Sequence, residues 1–193
     1  MPTTWDDLEA LAGRTGQLGA LALRAGASTA ALDDLERHLG VTLPPSLRAF
    51  LAAHDGQERA GRGLFFGSEF LGVEGIRAQW DTWRGIDEDA MNADCADDMG
   101  SQPAGVVRPL YTNRGWIPLT HDFGGNHVGL DFDPDVAGHP GQVITFGRDV
   151  EVKRLVAPDF DAFLDRFADQ WRSGPFTLAA AGWDAPAGTR AWP

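Results

Sequence analysis

Apolar residues recur at helical spacing through the first half of the chain and alternate at strand spacing in the second. Trp5 to Arg24 reads as helix, with Thr4 as N-cap and Asp6 and Asp7 in its first turn. Gly13, Gly16 and Gly19 interrupt it, so two short helices or one broken helix are expected. Ser28 caps a clearer helix, with Leu32, Leu35 and Leu39 on one face and Gly40 placed to terminate it. Leu43-Pro44-Pro45-Ser46 restarts a helix that buries Leu47, Phe50 and Leu51 and ends at Asp55-Gly56. Leu64-Phe65-Phe66 suggests a short strand. Val73 to Trp83 suggests a helix with Ile76, Trp80 and Trp83 on one side.

From Asp87 to Gly100 the chain turns acidic and loop-like. Trp116–Leu119, His127–Phe132, Gln142–Phe146 and Glu151–Val156 then read as strands separated by Gly and Pro. Pro158 to Trp171 is a closing helix with Phe160, Phe163, Leu164 and Phe167 on one face. Ser173 to Pro193, with Trp183 and Trp192, is an extension that wraps the core or frays. Helices, then strands, then a helix predict an α+β fold: a mostly antiparallel sheet covered on one face, with flanking helices.

Composition narrows the function classes. The 193 residues suit one domain, and 43% hydrophobic content with seven Trp excludes global disorder. The formal net charge of −12 disfavours nucleic acid and anionic membrane surfaces. No stretch is apolar enough for a membrane span, and the N-terminus lacks the pattern of a secretory signal, so a cytoplasmic protein is expected. One cysteine, Cys95, leaves no intramolecular disulfide. Lys153 is the single lysine among 16 Lys+Arg, and with abundant Ala and Gly this suggests a GC-rich bacterial source.

The richest polar stretch runs from His121 to Asp135. Strand alternation puts Val128, Leu130 and Phe132 on one face and His127, Gly129, Asp131 and Asp133 on the other. His127 and Asp131 then lie about 13 Å apart, too far to share an ion, whereas Asp131 and Asp133 at about 6.6 Å could. A calcium loop from Asp131 fails, because Val136 stands where Gly is needed and Gln142 where Glu is needed. A strand end and turn, with Asp side chains bonding backbone N–H groups, is the competing reading. Ser68 lacks the second glycine of a nucleophile elbow. Cys95 sits among Asp94, Asp97 and Asp98, which disfavour a thiolate. His38 and His54 are expected to meet helix-terminal carbonyls. Trp80 and Trp83 with Asp87, Glu88, Asp89, Asp94, Asp97 and Asp98 form a candidate partner-binding surface, or else two core Trp beside a solvated loop.

Several segments in order resemble the SUKH superfamily, in its Smi/Knr-like branch. They are the helix ending Leu39-Gly40, Leu43 to Leu51 with Asp55-Gly56, Gly115-Trp116-Ile117-Pro118-Leu119, Asp122-Phe123-Gly124-Gly125-Asn126, Val128 to Pro134, Gly138 to Val143, and the closing helix around Phe160–Phe167. The similarity spans about Ser28 to Trp171. It divides the chain into an N-terminal extension 1–27, the domain 28–172 and a C-terminal extension 173–193. The resemblance implies an α+β fold with no catalytic residue, and neither a metal nor a cofactor is expected. It implies architectural roles for Trp116, Pro118, Asp122, Gly125, Asp131, Pro134 and Gly141. For bacterial members it implies immunity proteins that neutralise a polymorphic toxin of nuclease or deaminase type, so a basic toxin domain is the expected partner. For fungal relatives it implies regulators of cell-wall assembly. The alternatives are thus a scaffold or regulator of that type, and a metal-assisted hydrolase using Asp131 and Asp133 with His127 or His121.

Overall fold

A computed structural model describes residues 3–59 and 61–192. The helices among them are α1 (Trp5–Arg14), α2 (Thr29–Leu39), α3 (Pro45–Ala53), α4 (Val73–Arg84), α5 (Glu88–Asp94) and α6 (Phe160–Ser173). Thr4 and Asp7 form a reciprocal capping box at α1, and a short 3₁₀ turn, Leu18–Leu21, follows it. Ser28 accepts the Ala31 N–H at the start of α2, and Gly40 ends it at φ 71°. Pro45 occupies the first turn of α3, where its missing N–H costs nothing.

The central sheet has the order β2 (Gly100–Gln102), β7 (Val152–Ala157), β6 (Gln142–Gly147), β5 (Asn126–Asp131), β3 (Trp116–Pro118). Its pairings are antiparallel except β2 with β7, which is parallel. Pro118 sits on the edge strand β3, where its lack of a donor is tolerated. Two small antiparallel pairs complete the set: β1 (Glu69–Phe70) with β4 (Thr120–His121), and β8 (Thr177–Ala179) with β9 (Gly182–Asp184).

The sheet is covered on both faces, which corrects the one-sided cover read from the sequence. Ile117, Val128, Leu130, Val143 and Val156 join the large core beneath α6. Trp116, Ile144 and Phe146 point the other way and form a second cluster with Val107, backed by Val106 and Leu110. The roof over this second face is therefore built from the stretch 85–115 between α4 and β3, an insert that begins with the acidic run. The insert also holds α5, where the sequence suggests only a loop.

Both chain ends enter the main core. Trp5, Leu8 and Leu11 of α1 are buried in it, and the Trp5 indole N–H donates to the Phe50 carbonyl at 2.8 Å. Phe176 stacks on Phe66 at 4.0 Å, while Trp183 meets Trp171 edge-on at 4.9 Å. Leu64–Phe66, expected as a strand, is instead a turn closed by a bridge from Phe65 to Ser68. His54 is the C-cap residue of α3, but the side chains of His38 and His54 do not meet helix-terminal carbonyls as expected. His38 meets the Asp81 carboxylate at 2.7 Å, and His54 meets the Arg24 carbonyl at 2.8 Å and Glu9 at 2.9 Å.

Candidate functional site

Three surfaces carry the residues singled out above. The first is the acidic insert. Asp87 accepts the Ala90 N–H and caps α5, so this carboxylate has a local structural task. Glu88 is held between Arg84 at 2.6 Å and Arg114 at 3.8 Å. Asn92 fastens the helix to the following chain: its Oδ1 accepts from Tyr111 and Thr112, and its Nδ2 donates to the Thr112 carbonyl. Asp89, Asp94, Asp97 and Asp98 remain exposed, and among the described residues none of them forms an ion pair. Cys95, a half-buried free thiol, lies 3.9 Å from the Met91 sulfur.

The two Trp of this region face inward rather than out. Trp80 is half-buried between His38 and Arg84, with its N–H on the Arg114 carbonyl at 3.0 Å. Trp83 closes the second cluster against Tyr111 and Phe146, and its N–H reaches Nε2 of His127. Neither offers a protruding anchor. The partner-binding potential of this surface rests on its carboxylates.

The second group is the buried polar row on the sheet. Asp131 is fully buried and accepts from the Gln142 amide at 2.9 Å and the Asp133 N–H at 3.0 Å. Burial pushes its pKa up to about 6 against those hydrogen bonds. The Trp116 indole N–H stands beside it without closing a well-formed bond. Asp133 accepts from the Asn113 amide at 3.0 Å and pairs with Arg108 at 3.2 Å. His127 is 4% exposed, and burial pulls its pKa down to about 4. The Asp131 and Asp133 oxygens thus face protein donors. Among the described residues, no three of His, Cys, Asp or Glu stand where one ion could hold them together. Gly141, at φ 89°, donates its N–H to the Asp131 carbonyl at 2.7 Å. Pro134 packs against Gly138 in the same turn, at a position where an added Cβ would stand 2.8 Å away.

Lys153 belongs with this row, and its position was not foreseen. Its ammonium is fully buried, donates to the Val150 carbonyl and lies 3.2 Å from the Met99 sulfur and 5.9 Å from the Trp116 ring centre. Burial lowers its pKa to about 8.

The third surface is the Asp122–Asn126 loop. Asp122 accepts from the N–H groups of Gly124 and Asn126 and from the Asn126 amide, at 2.7 to 2.8 Å. Burial works against ionisation, but these bonds outweigh it and hold the carboxyl below its usual pKa. Gly125 adopts φ 97°, which a side chain would strain, and its carbonyl takes the Arg148 N–H. The loop holds Phe123 at φ 65° and 53% exposed. Sequence reasoning quoted Phe123 as part of a motif without giving it a role. Its signal is an aromatic residue flanked by an Asx turn and two glycines.

The family model described as "SMI1 / KNR4 family (SUKH-1)" matches residues 26–166. The chain is 38% identical over 163 residues to "Cell wall biosynthesis/cell cycle regulator smi1" of Schizosaccharomyces pombe, covering 79% of this chain and 32% of that protein. It is 31% identical over 184 residues to "Glucan synthesis regulatory protein" of Neurospora crassa, covering 79% and 35%. It is 30% identical over 175 residues to "Cell wall assembly regulator SMI1" of Saccharomyces cerevisiae, covering 74% and 35%. The chain spans about a third of the length of these relatives. All three are eukaryotic and named as regulators, not as enzymes. They overturn the expectation of a bacterial protein from a polymorphic toxin system, which rested on codon-driven composition and on the bacterial branch of the resemblance. Among the described residues no helix is long and apolar enough to cross a membrane.

Proposed function

The chain belongs to the SMI1/KNR4 (SUKH-1) family, and from that premise we propose that it is a protein-binding regulatory domain of the cell-wall-assembly type, acting without catalysis. The observation that carries this reading is the exposed carboxylate set Asp89, Asp94, Asp97 and Asp98, on a segment that Asn92 fastens to the Tyr111 and Thr112 backbone ahead of β3. A charged surface on a rigid mount pays little ordering entropy on association and steers an oppositely charged partner. The saturation of Asp131, Asp133 and His127 by internal bonds supports a structural role for them rather than turnover. The partner is a basic protein surface rather than nucleic acid or membrane, given the net charge of −12. The free thiol Cys95 suits a cytoplasmic site of action.

Affinity capture from a fungal lysate tests the reading, comparing the chain with a variant carrying Asp89→Asn, Asp94→Asn, Asp97→Asn and Asp98→Asn. The expected result is a stoichiometric partner that is lost from the variant and released from the native chain by raised salt. Equal retention by both proteins, or turnover of a small compound by the purified chain, contradicts it.

A further inference from the structure

We propose that the groove beside Phe123 is a docking site for an extended segment of a partner protein that presents a cationic side chain next to an apolar one. This rests on the protein-binding reading and adds a second surface and the chemistry of what sits there.

Phe123 is one of three non-glycine residues at positive φ among those described. A Cβ in that conformation costs on the order of 1 kcal/mol, and glycine would fit more cheaply. The position nevertheless carries a large ring, half in solvent, on a loop tied down by Asp122, Asn126 and Asp149. An exposed aromatic on a rigid loop needs no ordering to bind, which is the property of an interface anchor. The ring rests edge-on against His121 at 5.2 Å. From there a groove of about 390 Å³ runs past Glu69 and Leu71 to Gly75 at the start of α4.

Charge selects the occupant. Glu69 is half-buried in this groove, and burial raises its carboxyl pKa while His121, Arg24 and Arg59 pull the other way. Among the described residues none of these cations reaches ion-pair distance of Glu69, and Arg24 is committed to Glu58 at 3.2 Å. Glu74 adds a second carboxylate at the rim. A cation entering from solvent would meet Glu69 after passing the Phe123 face, which can take a Lys or Arg stem or the charge itself. Arg24, held by Glu58, and Arg59 also line the groove, so it is the net charge of −12 on the whole chain that weighs against an acidic segment.

A random peptide library displayed on phage, selected against the full chain, tests the proposal. Synthetic copies of the selected peptides are then titrated against the native chain, Phe123→Ala, Phe123→Gly, Glu69→Gln and the distant control Asp98→Asn. The expected consensus pairs Lys or Arg with an aliphatic or aromatic residue. Affinity should fall about tenfold or more for both Phe123 variants and by a smaller factor for Glu69→Gln, with Asp98→Asn unchanged. Phe123→Gly relieves the backbone strain, so a loss shared by both Phe123 variants reports the ring and not unfolding. An acidic or uncharged consensus, no binders, or binders indifferent to Phe123 would overturn the proposal. Peptides that bind at Phe123 when the acidic-face variant captures every partner of the native chain would leave this groove standing and sink the carboxylate surface argued above.

Discussion

The indole N–H of Trp83 donates to Nε2 of His127 at 3.0 Å. That bond fixes the tautomer: Nδ1 carries the proton and gives it to the Thr120 carbonyl at 2.7 Å. Only a neutral imidazole satisfies both partners, since a protonated Nε2 would face another N–H. One hydrogen-bonded pair thus ties α4 to β5 and seals the second face of the sheet.

The pair sets a pH dependence with a sign. His127 titrates from 6.5 in the unfolded chain to about 4 in the folded one, so its stabilising contribution is present above pH 6.5 and is lost as pH falls through that window. Asp131 titrates from 3.8 to about 6, so its burial penalty operates above pH 6 and disappears as pH falls. Each shift is worth about 3 kcal/mol, and the two oppose. His127→Gln should gain stability on acidification between about pH 6 and 4, relative to the native chain, and Asp131→Asn should lose it. Urea denaturation at both ends of that interval checks the two slopes.

Lys153 gives a second, alkaline effect. Its pKa falls from 10.5 to about 8 on folding, so the unfolded chain holds the extra proton between those values and stability rises with pH across them. Lys153→Met keeps most of the volume and removes the buried charge at the cost of leaving the Val150 carbonyl unmatched. We expect it to be about 2 kcal/mol more stable at neutral pH and to lose the alkaline rise, as read by thermal melts across that range.

Gln57 is a four-way clamp. Its amide donates to the carbonyls of Leu21 and Arg62 at 2.6 and 2.7 Å, and its oxygen accepts the N–H groups of Leu64 and Phe70 at 2.8 and 2.9 Å. Gln57→Leu preserves bulk but leaves buried backbone groups unpaired. A loss of about 4 kcal/mol is expected, measured by chemical denaturation, whereas Gln79→Leu on the half-buried rim of the groove near Phe123 should change stability little.

Legibility followed the physics of each segment. Helix α2 could be read because Ser28, the Leu32, Leu35 and Leu39 stripe and Gly40 mark its start, face and end. The alternation of β5 was also readable, and the structure puts Val128 and Leu130 on one side and His127 and Asp131 on the other. What alternation could not convey is that the polar-looking side is roofed, because the roof comes from Val106, Val107 and Leu110 in a distant insert. Helix α5 was hidden for a related reason: it buries no residue fully, so it has no apolar stripe, and it is held by two polar side chains, Glu88 and Asn92. Gln57 leaves no local trace, since its partners are spread along the chain. Phe123 stands out only once its exposure and positive φ are seen together.

Replacement of the matching third of the Schizosaccharomyces pombe regulator by this chain tests the central claim most directly, with growth under cell-wall stress as the readout. The account predicts that the chimera restores growth and that the version lacking the Asp89, Asp94, Asp97 and Asp98 carboxylates does not, at equal protein levels. Restoration by both versions would contradict the assigned surface, and failure of both, with the native domain folded in the cell, would contradict the regulatory role itself.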